Sequence, residues 1–494
     1  MSIEKPGTAP QSLKSKFIQS LLWLGTGSLA IQVISWGATV LVIRLLSPAD
    51  YGLMAMSAIV ISFLLMICDL GMGGAIIRTE QIDKRQLRQI LGIIFCINIA
   101  AFIFTYLSAP LVAAFFGEPR VTSIVRWLSV NFILISFYIV PQSICMKEMA
   151  YKKKTQIDVT ARILSSMMTL GLAFYGYGVW SLVISEIALH LIKLIGFNVF
   201  MRSVIVPVFS LRGVGRFIQF GALLTVDRIL YWAYGHLDGV ILGRLLGKEL
   251  LGLYSVALNL ASIPMDKFLP VLTQVSFSAY SRIQSDSQKL KNGLLNVTHA
   301  VAFIVFPVSW GMIAVAPEAI PLLLGQKWAS IVLPFQLISI VLPLKALSSI
   351  LPPALFAIGR PAVNIVNMAI SVCIMSVAFL VGVQKGLVGV CLAWVIAYPM
   401  VFVIINKRAL DALHIPLTSY FREILFPLTS AGLMVGGVFL LKPYIAGLSQ
   451  LQALAACSVA GGLLYSLSAL TSKKEFSKLK HLVARSPKPE VVKT

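Results

Sequence analysis

The chain has 494 residues, of which 58% are hydrophobic and only 12% are charged. Soluble proteins carry about 25% charged residues, so a soluble chain of this composition would have to cover most of its surface with apolar side chains. The formal net charge of +22 would suggest a nucleic-acid partner in a soluble protein, but here the cations lie in short loops between apolar segments. Composition therefore excludes a soluble protein, argues against nucleic-acid binding and predicts a chain embedded in lipid.

Hydropathy predicts about fourteen membrane-spanning helices, numbered here as spans 1 to 14. A polar leader, residues 1–16, precedes a first span that is too long for a cleaved signal peptide and is expected to be retained. The expected limits are 17–43, 52–77, 89–108, 122–145, 156–174, 178–200, 214–243, 251–276, 295–316, 331–356, 362–383, 386–406, 423–441 and 450–470.

Lys and Arg residues are unevenly divided between alternate loops. The set of loops that includes both termini holds 28 of the 41 Lys and Arg residues, and the other set holds 7. Because cytoplasmic loops are enriched in these residues, the bias predicts that both termini are cytoplasmic. The basic tail, residues 472–494, is expected to be an extension that touches solvent or lipid headgroups.

Two short motifs recur in the second half of the chain. Arg44-Leu-Leu followed by Gly52-Leu reappears 200 residues later as Arg244-Leu-Leu followed by Gly252-Leu, and a Ser-Ile-Val at 123–125 reappears at 330–332. These matches predict two six-helix lobes, residues 17–205 and 206–410, that point the same way in the membrane and enclose a central cavity. Spans 13 and 14, within residues 411–471, are expected to be a peripheral addition.

The six cysteines all lie in apolar stretches and lack the spacing of metal sites, so we expect them to be small packing residues. The sequence also lacks the GxxxxGK[ST], HExxH and GxSxG motifs in their required contexts, which argues against an enzyme. The cysteines are Cys68, Cys96, Cys145, Cys373, Cys391 and Cys457.

The segment RLLSPADYGL at 44–53, continuing to DLGMG at 69–73, resembles the opening of bacterial polysaccharide flippases of the Wzx type. Segments at 238–258, 281–283, 324–328 and 357–361, with Pro264, resemble the second lobe of the same family, particularly its colanic-acid-exporter branch. These flippases belong to the multidrug/oligosaccharidyl-lipid/polysaccharide exporter superfamily, and the resemblance covers roughly residues 15–410.

The resemblance implies an alternating-access flippase of the bacterial inner membrane. Its cargo would be an undecaprenyl-pyrophosphate-linked oligosaccharide, moved to the periplasmic leaflet for exopolysaccharide, capsule or O-antigen assembly. Glycosyltransferases, a polymerase and membrane lipids would be its partners, and no resident cofactor is expected.

Ionisable residues at membrane depth are the candidates for cargo binding. Each would cost ~2.5–3.5 kcal/mol if it faced lipid, so we expect them to face protein or a wet cavity. An anionic diphosphate requires cations at depth, and Arg228, Lys267 and Lys345 fall near the middle of second-lobe spans; interhelical ion pairs are the alternative interpretation. The further candidates for substrate binding are Arg126, Arg162, Lys193, Tyr231, Tyr234 and Arg360.

A transporter without a nucleotide site requires an ion gradient, of H⁺ or Na⁺, or a downstream reaction that consumes its product. Asp227 is the favoured coupling residue because it adjoins Arg228 and shares a helix face with Tyr231, Tyr234 and Asp238. A second stripe, Glu186, His190 and Lys193, is more simply interpreted as a self-satisfied structural cluster. The other coupling candidates are Asp238, Asp69, Glu186 and Asp266.

Three alternative functions stay open at this point. A flippase for the cell-wall precursor lipid II and a multidrug/cation antiporter belong to the same superfamily. A non-transporting scaffold of a polysaccharide-synthesis complex is the third. An antiporter for cations would favour acids over cations at depth, and a scaffold could omit the deep charges at a gain in stability.

Overall fold

The computed structural model describes residues 37–69, 84–148, 150–201, 208–209, 215–283, 286–445 and 447–471. Throughout this described part the chain forms helices and no strands. The reason is the apolar composition of the segments, since a backbone that crosses lipid must satisfy its own hydrogen bonds. Ten segments of the described residues are long and apolar enough to cross a membrane. The prediction of an all-α, multi-pass membrane protein is confirmed, while the count of fourteen spans stays a prediction.

The helices fall into two compact units, Met1–Gly252 and Leu253–Thr494. The predicted division into lobes at residues 205 and 206, with a central cavity, stays a prediction. The first unit contains α1 (Pro48–Asp69), α2 (Lys84–Phe116), α3 (Arg120–Lys147), α4 (Tyr151–Phe174), α5 (Val179–Met201) and the first part of α6 (Gly215–Ile283). The second unit contains the rest of α6, α7 (Ser287–Leu324), a 3-10 helix (Gln326–Ile331), α8 (Val332–Ser348), α9 (Leu351–Ala357), α10 (Pro361–Gly382), α11 (Gly386–Ala412), α12 (Leu417–Ile445) and α13 (Gln450–Thr471).

The predicted spans from residue 52 onward each overlap one of these helices, with two differences in detail. Span 10 divides into α8 and the short α9, because Pro352 and Pro353 lack the N–H groups that would continue α8 and instead occupy the first turn of α9. Spans 7 and 8 are joined in α6, which is interrupted only at Gly247, where φ is 79°. Of span 1, only residues from 37 onward lie in the described part, where the helix continues through residue 45.

Within the first unit, α3 is the central helix and packs against α1, α2 and α5. Its buried face includes Ile124, Leu128 and Phe132, each at most 1% exposed. Within the second unit, α7 packs against α8, α12 and α13, and α8 and α10 pack against α11. The polar candidates described below project from these packed helices.

The prediction that all six cysteines are packing residues is wrong for two of them. Cys68, Cys145, Cys391 and Cys457 are buried, whereas Cys96 and Cys373 are exposed. Each exposed cysteine lies two residues, or about 200° around the helix, from a buried neighbour. These neighbours are Ile94 on α2 and Ser371 on α10.

The repeated motif has a structural counterpart inside the first unit. The helical stretch that ends at residue 45 is separated from α1 by a break at residues 46–47, and α6 is broken 200 residues later at Gly247. The two motifs also contact each other reciprocally. A Cβ on Gly52 would overlap the carbonyl oxygen of Lys248, and a Cβ on Gly252 would overlap the carbonyl oxygen of Pro48. Reciprocal contacts of this kind are what a local two-fold relation produces.

We expect Gly52→Ala to destabilise the protein by roughly 1–3 kcal/mol, because the added methyl group overlaps backbone atoms that can move only with their helix. Gly171→Ala in α4 is the matched control, since a Cβ there meets no atom within 4 Å. Thermal unfolding of the two purified variants in detergent measures the difference. Equal unfolding temperatures would show that the helices do not approach as described.

Candidate functional site

Lys345, near the C-terminal end of α8, lies over the indole ring of Trp394 on α11. Its Nζ is 4.1 Å from the ring centroid, and Trp394 is only 3% exposed. The indole Nε1 donates a hydrogen bond to Tyr254 Oη at 2.9 Å, which fixes the plane of the ring. A desolvated cation–π contact of this kind is worth about 2 kcal/mol, so the ring offsets part of the cost of the ammonium at membrane depth.

Polar side chains join the end of α8 to α11. Tyr398 Oη donates to Ser348 Oγ at 3.3 Å, and Asn406 Nδ2 lies 3.2 Å from the same oxygen. Asn406 is fully buried, and its Oδ1 has no hydrogen-bond partner among the described residues. Trp394, Tyr398 and Asn406 lie on one face of α11 at multiples of four residues. The sequence analysis missed these residues, although this spacing could have found them.

Lys193 on α5 is paired with Asp158 on α4. Its Nζ is 3.2 Å from Asp158 Oδ1, and Lys154 Nζ approaches Asp158 Oδ2 at 2.7 Å. One carboxylate thus serves two ammonium groups. Sequence reasoning proposed Lys193 as a cation for cargo but missed Asp158, whose spacing of four residues from Lys154 was the available signal.

Glu186 and His190 form the other part of the predicted stripe on α5. Glu186 Oε1 lies 3.5 Å from His190 Nε2, and Tyr138 Oη on α3 lies 2.9 Å from His190 Nδ1. Tyr138 also stacks on Phe197, with ring centroids 6.0 Å apart. The stripe therefore pairs internally only in part, because Lys193 turns to Asp158 on the neighbouring helix.

Arg126 is held between α2 and α3. Its Nε donates to the carbonyl oxygen of Tyr106 at 3.4 Å, and its guanidinium lies 4.9 Å from the centroid of the Tyr106 ring. Arg162 is exposed on α4, and Arg360 is exposed just before α10. These three cations lie on different elements, and the described contacts do not bring them together.

The stripe predicted on α6 differs in exposure along its length. Tyr231 is 68% exposed and Asp238 only 3%, with Tyr234 half-buried between them. Asp238 Oδ1 accepts a hydrogen bond from Gly239 N at 2.7 Å. Nearby, Trp232 donates to Ser62 Oγ on α1 at 3.0 Å, so α1 covers this part of α6.

Other candidates can be placed only by position. Arg228 is half-buried and Asp266 is exposed, whereas the side chains of Asp69, Asp227 and Lys267 lie outside the described residues. Among the residues that the structure describes, no group of three His, Cys, Asp or Glu side chains could hold a metal ion.

A cavity lies on the surface of the first unit. It is an open groove of about 550 Å³ between the helical stretch 37–45 and α4. Its walls include Leu41, Met167 and Phe174, and Arg44 is the charged residue in its lining.

Comparison with known proteins adds the following relations. Residues 41–333 match a protein family described as "Polysaccharide biosynthesis protein". The teichuronic acid biosynthesis protein TuaB of Bacillus subtilis is 26% identical over 410 residues, which cover 82% of this chain and 84% of that protein. The lipopolysaccharide biosynthesis protein WzxC of Escherichia coli is 27% identical over 339 residues, which cover 66% of this chain and 67% of that protein.

Two solved structures share the fold. The lipid II flippase MurJ in an inward closed conformation superposes with a TM-score of 0.69 at 15% identity, covering 92% of this chain and all of that one. An inward-facing multidrug resistance transporter of the MATE family, from the MOP superfamily, superposes with a TM-score of 0.61 at 15% identity, covering 78% of this chain and 95% of that one. At this level of identity the likeness shows the fold alone, and it agrees with the helical transporter fold predicted from sequence.

Proposed function

Because the chain belongs to the polysaccharide biosynthesis protein family, we propose that it is a flippase for undecaprenyl-pyrophosphate-linked oligosaccharides. It would carry each repeat unit across the bacterial inner membrane by alternating access and deliver it to a polymerase, downstream of the glycosyltransferases that assemble the unit. The family match favours this cargo over lipid II and over a cationic drug. It also favours a transporter over a scaffold.

The single observation that carries the proposal within the structure is Lys345 over Trp394. The cargo brings at least two negative charges into the hydrocarbon layer, where an anion without a partner is strongly disfavoured. The ring of Trp394 stabilises the Lys345 ammonium at this depth. In this proposal a diphosphate oxygen binds the same ammonium while the ring keeps its place.

Arg228 and Lys267, both within the apolar helix α6, are proposed as further cations for the diphosphate. Arg126, Arg162, Lys193 and Arg360 are weaker candidates. Arg126 and Lys193 already have partners on neighbouring helices. The cargo would have to displace these partners in order to bind. Tyr231 and Tyr234 are proposed to hydrogen-bond sugar hydroxyls.

We expect Lys345→Ala to lower polymer export by roughly 10- to 100-fold, equivalent to losing one charge-assisted hydrogen bond of about 1.5–3 kcal/mol. Arg228→Ala and Lys267→Ala should have the same effect, and Lys345→Arg should retain part of the export. Export is measured as surface polysaccharide, alongside the abundance of each variant in the membrane. Lys385→Ala, which removes an exposed loop cation, is the matched control.

Full export by all three alanine variants would contradict the cargo-binding role. A fall in abundance without a fall in export per molecule would show that these cations only stabilise the helix bundle.

The orientation is part of the same proposal. The excess of Lys and Arg in one set of loops supports cytoplasmic termini. In a variant whose native cysteines are replaced, a cysteine at Ser477 should react with a membrane-impermeant maleimide only after the cells are opened. A cysteine at Gln384, in the turn between α10 and α11, should react in intact spheroplasts. The reverse pattern would invert the topology.

We further propose that an H⁺ or Na⁺ gradient drives the cycle through a buried acid. Asp227 is the first candidate because it adjoins Arg228, and Glu186 is the second because His190 and Tyr138 extend it into a chain of titratable groups. Asp238, Asp69 and Asp266 are the remaining candidates.

Asp227→Asn mimics the protonated acid. Lipid flipping in liposomes that contain this variant should therefore no longer respond to an imposed pH or sodium gradient, whereas flipping in the absence of a gradient should continue. Glu186→Gln is the comparison variant and should keep the response. If Glu186→Gln loses the response and Asp227→Asn keeps it, the coupling residue is Glu186 on α5 instead.

A further inference from the structure

The groove of about 550 Å³ in the first unit has two apolar walls. Leu41 and Leu45 of the helical stretch 37–45 form one wall, and Met167 and Phe174 of α4 form the other. All four side chains are more than 40% exposed. In a bilayer such an exposed apolar surface is covered by the hydrocarbon chains of lipids. Where the surface is a groove, its walls restrict the acyl chain that lies in it.

Arg44 gives this groove a polar end. Its side chain is exposed, and among the described residues it makes no hydrogen bond or ion pair. The equivalent residue of the second motif, Arg244, donates to the carbonyl oxygens of Ala114 and Phe115 and lies 5.5 Å from the centroid of the Phe115 ring. One repeat thus uses its arginine to hold the end of α2, whereas the other presents its arginine to the groove.

The end of the groove lies at the level expected for lipid headgroups. The helical stretch 37–45 ends just beyond Arg44, and α4 ends at Phe174. Tyr175 and Tyr177 follow, 79% and 54% exposed. Exposed tyrosines at the end of an apolar helix are typical of the membrane interface, where phosphate groups also lie.

We propose that this groove binds one anionic glycerophospholipid, with an acyl chain between the helical stretch 37–45 and α4 and its phosphate on Arg44. A guanidinium can engage phosphate oxygens with two parallel hydrogen bonds, and the arginine supplies one positive charge for one phosphodiester. A diphosphate-linked lipid would bring more negative charge than this single group can balance. The site does not depend on the proposed transport function.

The test is lipid binding to the purified full chain in detergent, followed by native mass spectrometry. The probes are phosphatidylglycerol, phosphatidylethanolamine with the same acyl chains, and undecaprenyl diphosphate. The wild type should bind phosphatidylglycerol about tenfold more tightly than phosphatidylethanolamine, as expected for one charge-assisted contact. Arg44→Ala should reduce this preference to twofold or less, and Arg44→Lys should keep part of it.

Two further variants separate the groove from general surface charge. Gly171→Leu should weaken the binding of both phospholipids, because Gly171 lines the groove and a Cβ there meets no atom within 4 Å. Arg120→Ala, which removes an exposed arginine at the start of α3, should leave the preference unchanged.

Three results would overturn the proposal. The first is an unchanged preference in Arg44→Ala. The second is an equal loss of preference in Arg120→Ala, which would indicate attraction to surface charge. The third is tighter, Arg44-dependent binding of undecaprenyl diphosphate, which would assign the groove to a diphosphate lipid instead.

Discussion

The hydrocarbon layer penalises every polar group that has no partner, and the described structure follows from this constraint. Backbone groups are satisfied inside helices, and small hydroxyl side chains donate back to the preceding turn. Ser57 donates to the carbonyl oxygen of Leu53, Thr105 to that of Ala101 and Thr298 to that of Leu294. Such bonds keep hydroxyl groups inside the helix packing without a partner on another helix.

Charges meet the same constraint in chemically different ways. Lys193 shares the carboxylate of Asp158 with Lys154, Arg126 is held by a carbonyl oxygen and a ring, and Lys345 lies over a ring. The first arrangement ties α4 to α5. The ring in the last arrangement reduces the cost of burying the ammonium. Lys193 and Lys345 therefore meet the cost of burial with chemically different neighbours.

The sequence was sufficient for the helical fold because hydropathy is a local property of each segment. The limits of α3 and α10, for example, lie within two residues of the predicted ones. The partners of the buried charges were not predictable in the same way. Trp394 donates to Tyr254, which is 140 residues away in the sequence. No local sequence pattern indicates that two residues so far apart come into contact. The spacing of four residues between Lys154 and Asp158 could have identified Asp158 from the sequence. Its contact with Lys193, however, depends on the packing of α4 against α5, which the sequence pattern does not show.

The reciprocal contact of Gly52 and Gly252 limits how the two motifs can diverge. Each glycine is fixed by the backbone of the other motif rather than by a side chain, so no compensating substitution in the partner can make room for a larger residue. The side chains around the contact are free of this restriction, and Arg44 and Arg244 have indeed taken different surroundings. The spacing between the two backbones is therefore fixed by both copies of the motif, whereas the chemistry at its edges differs from one copy to the other.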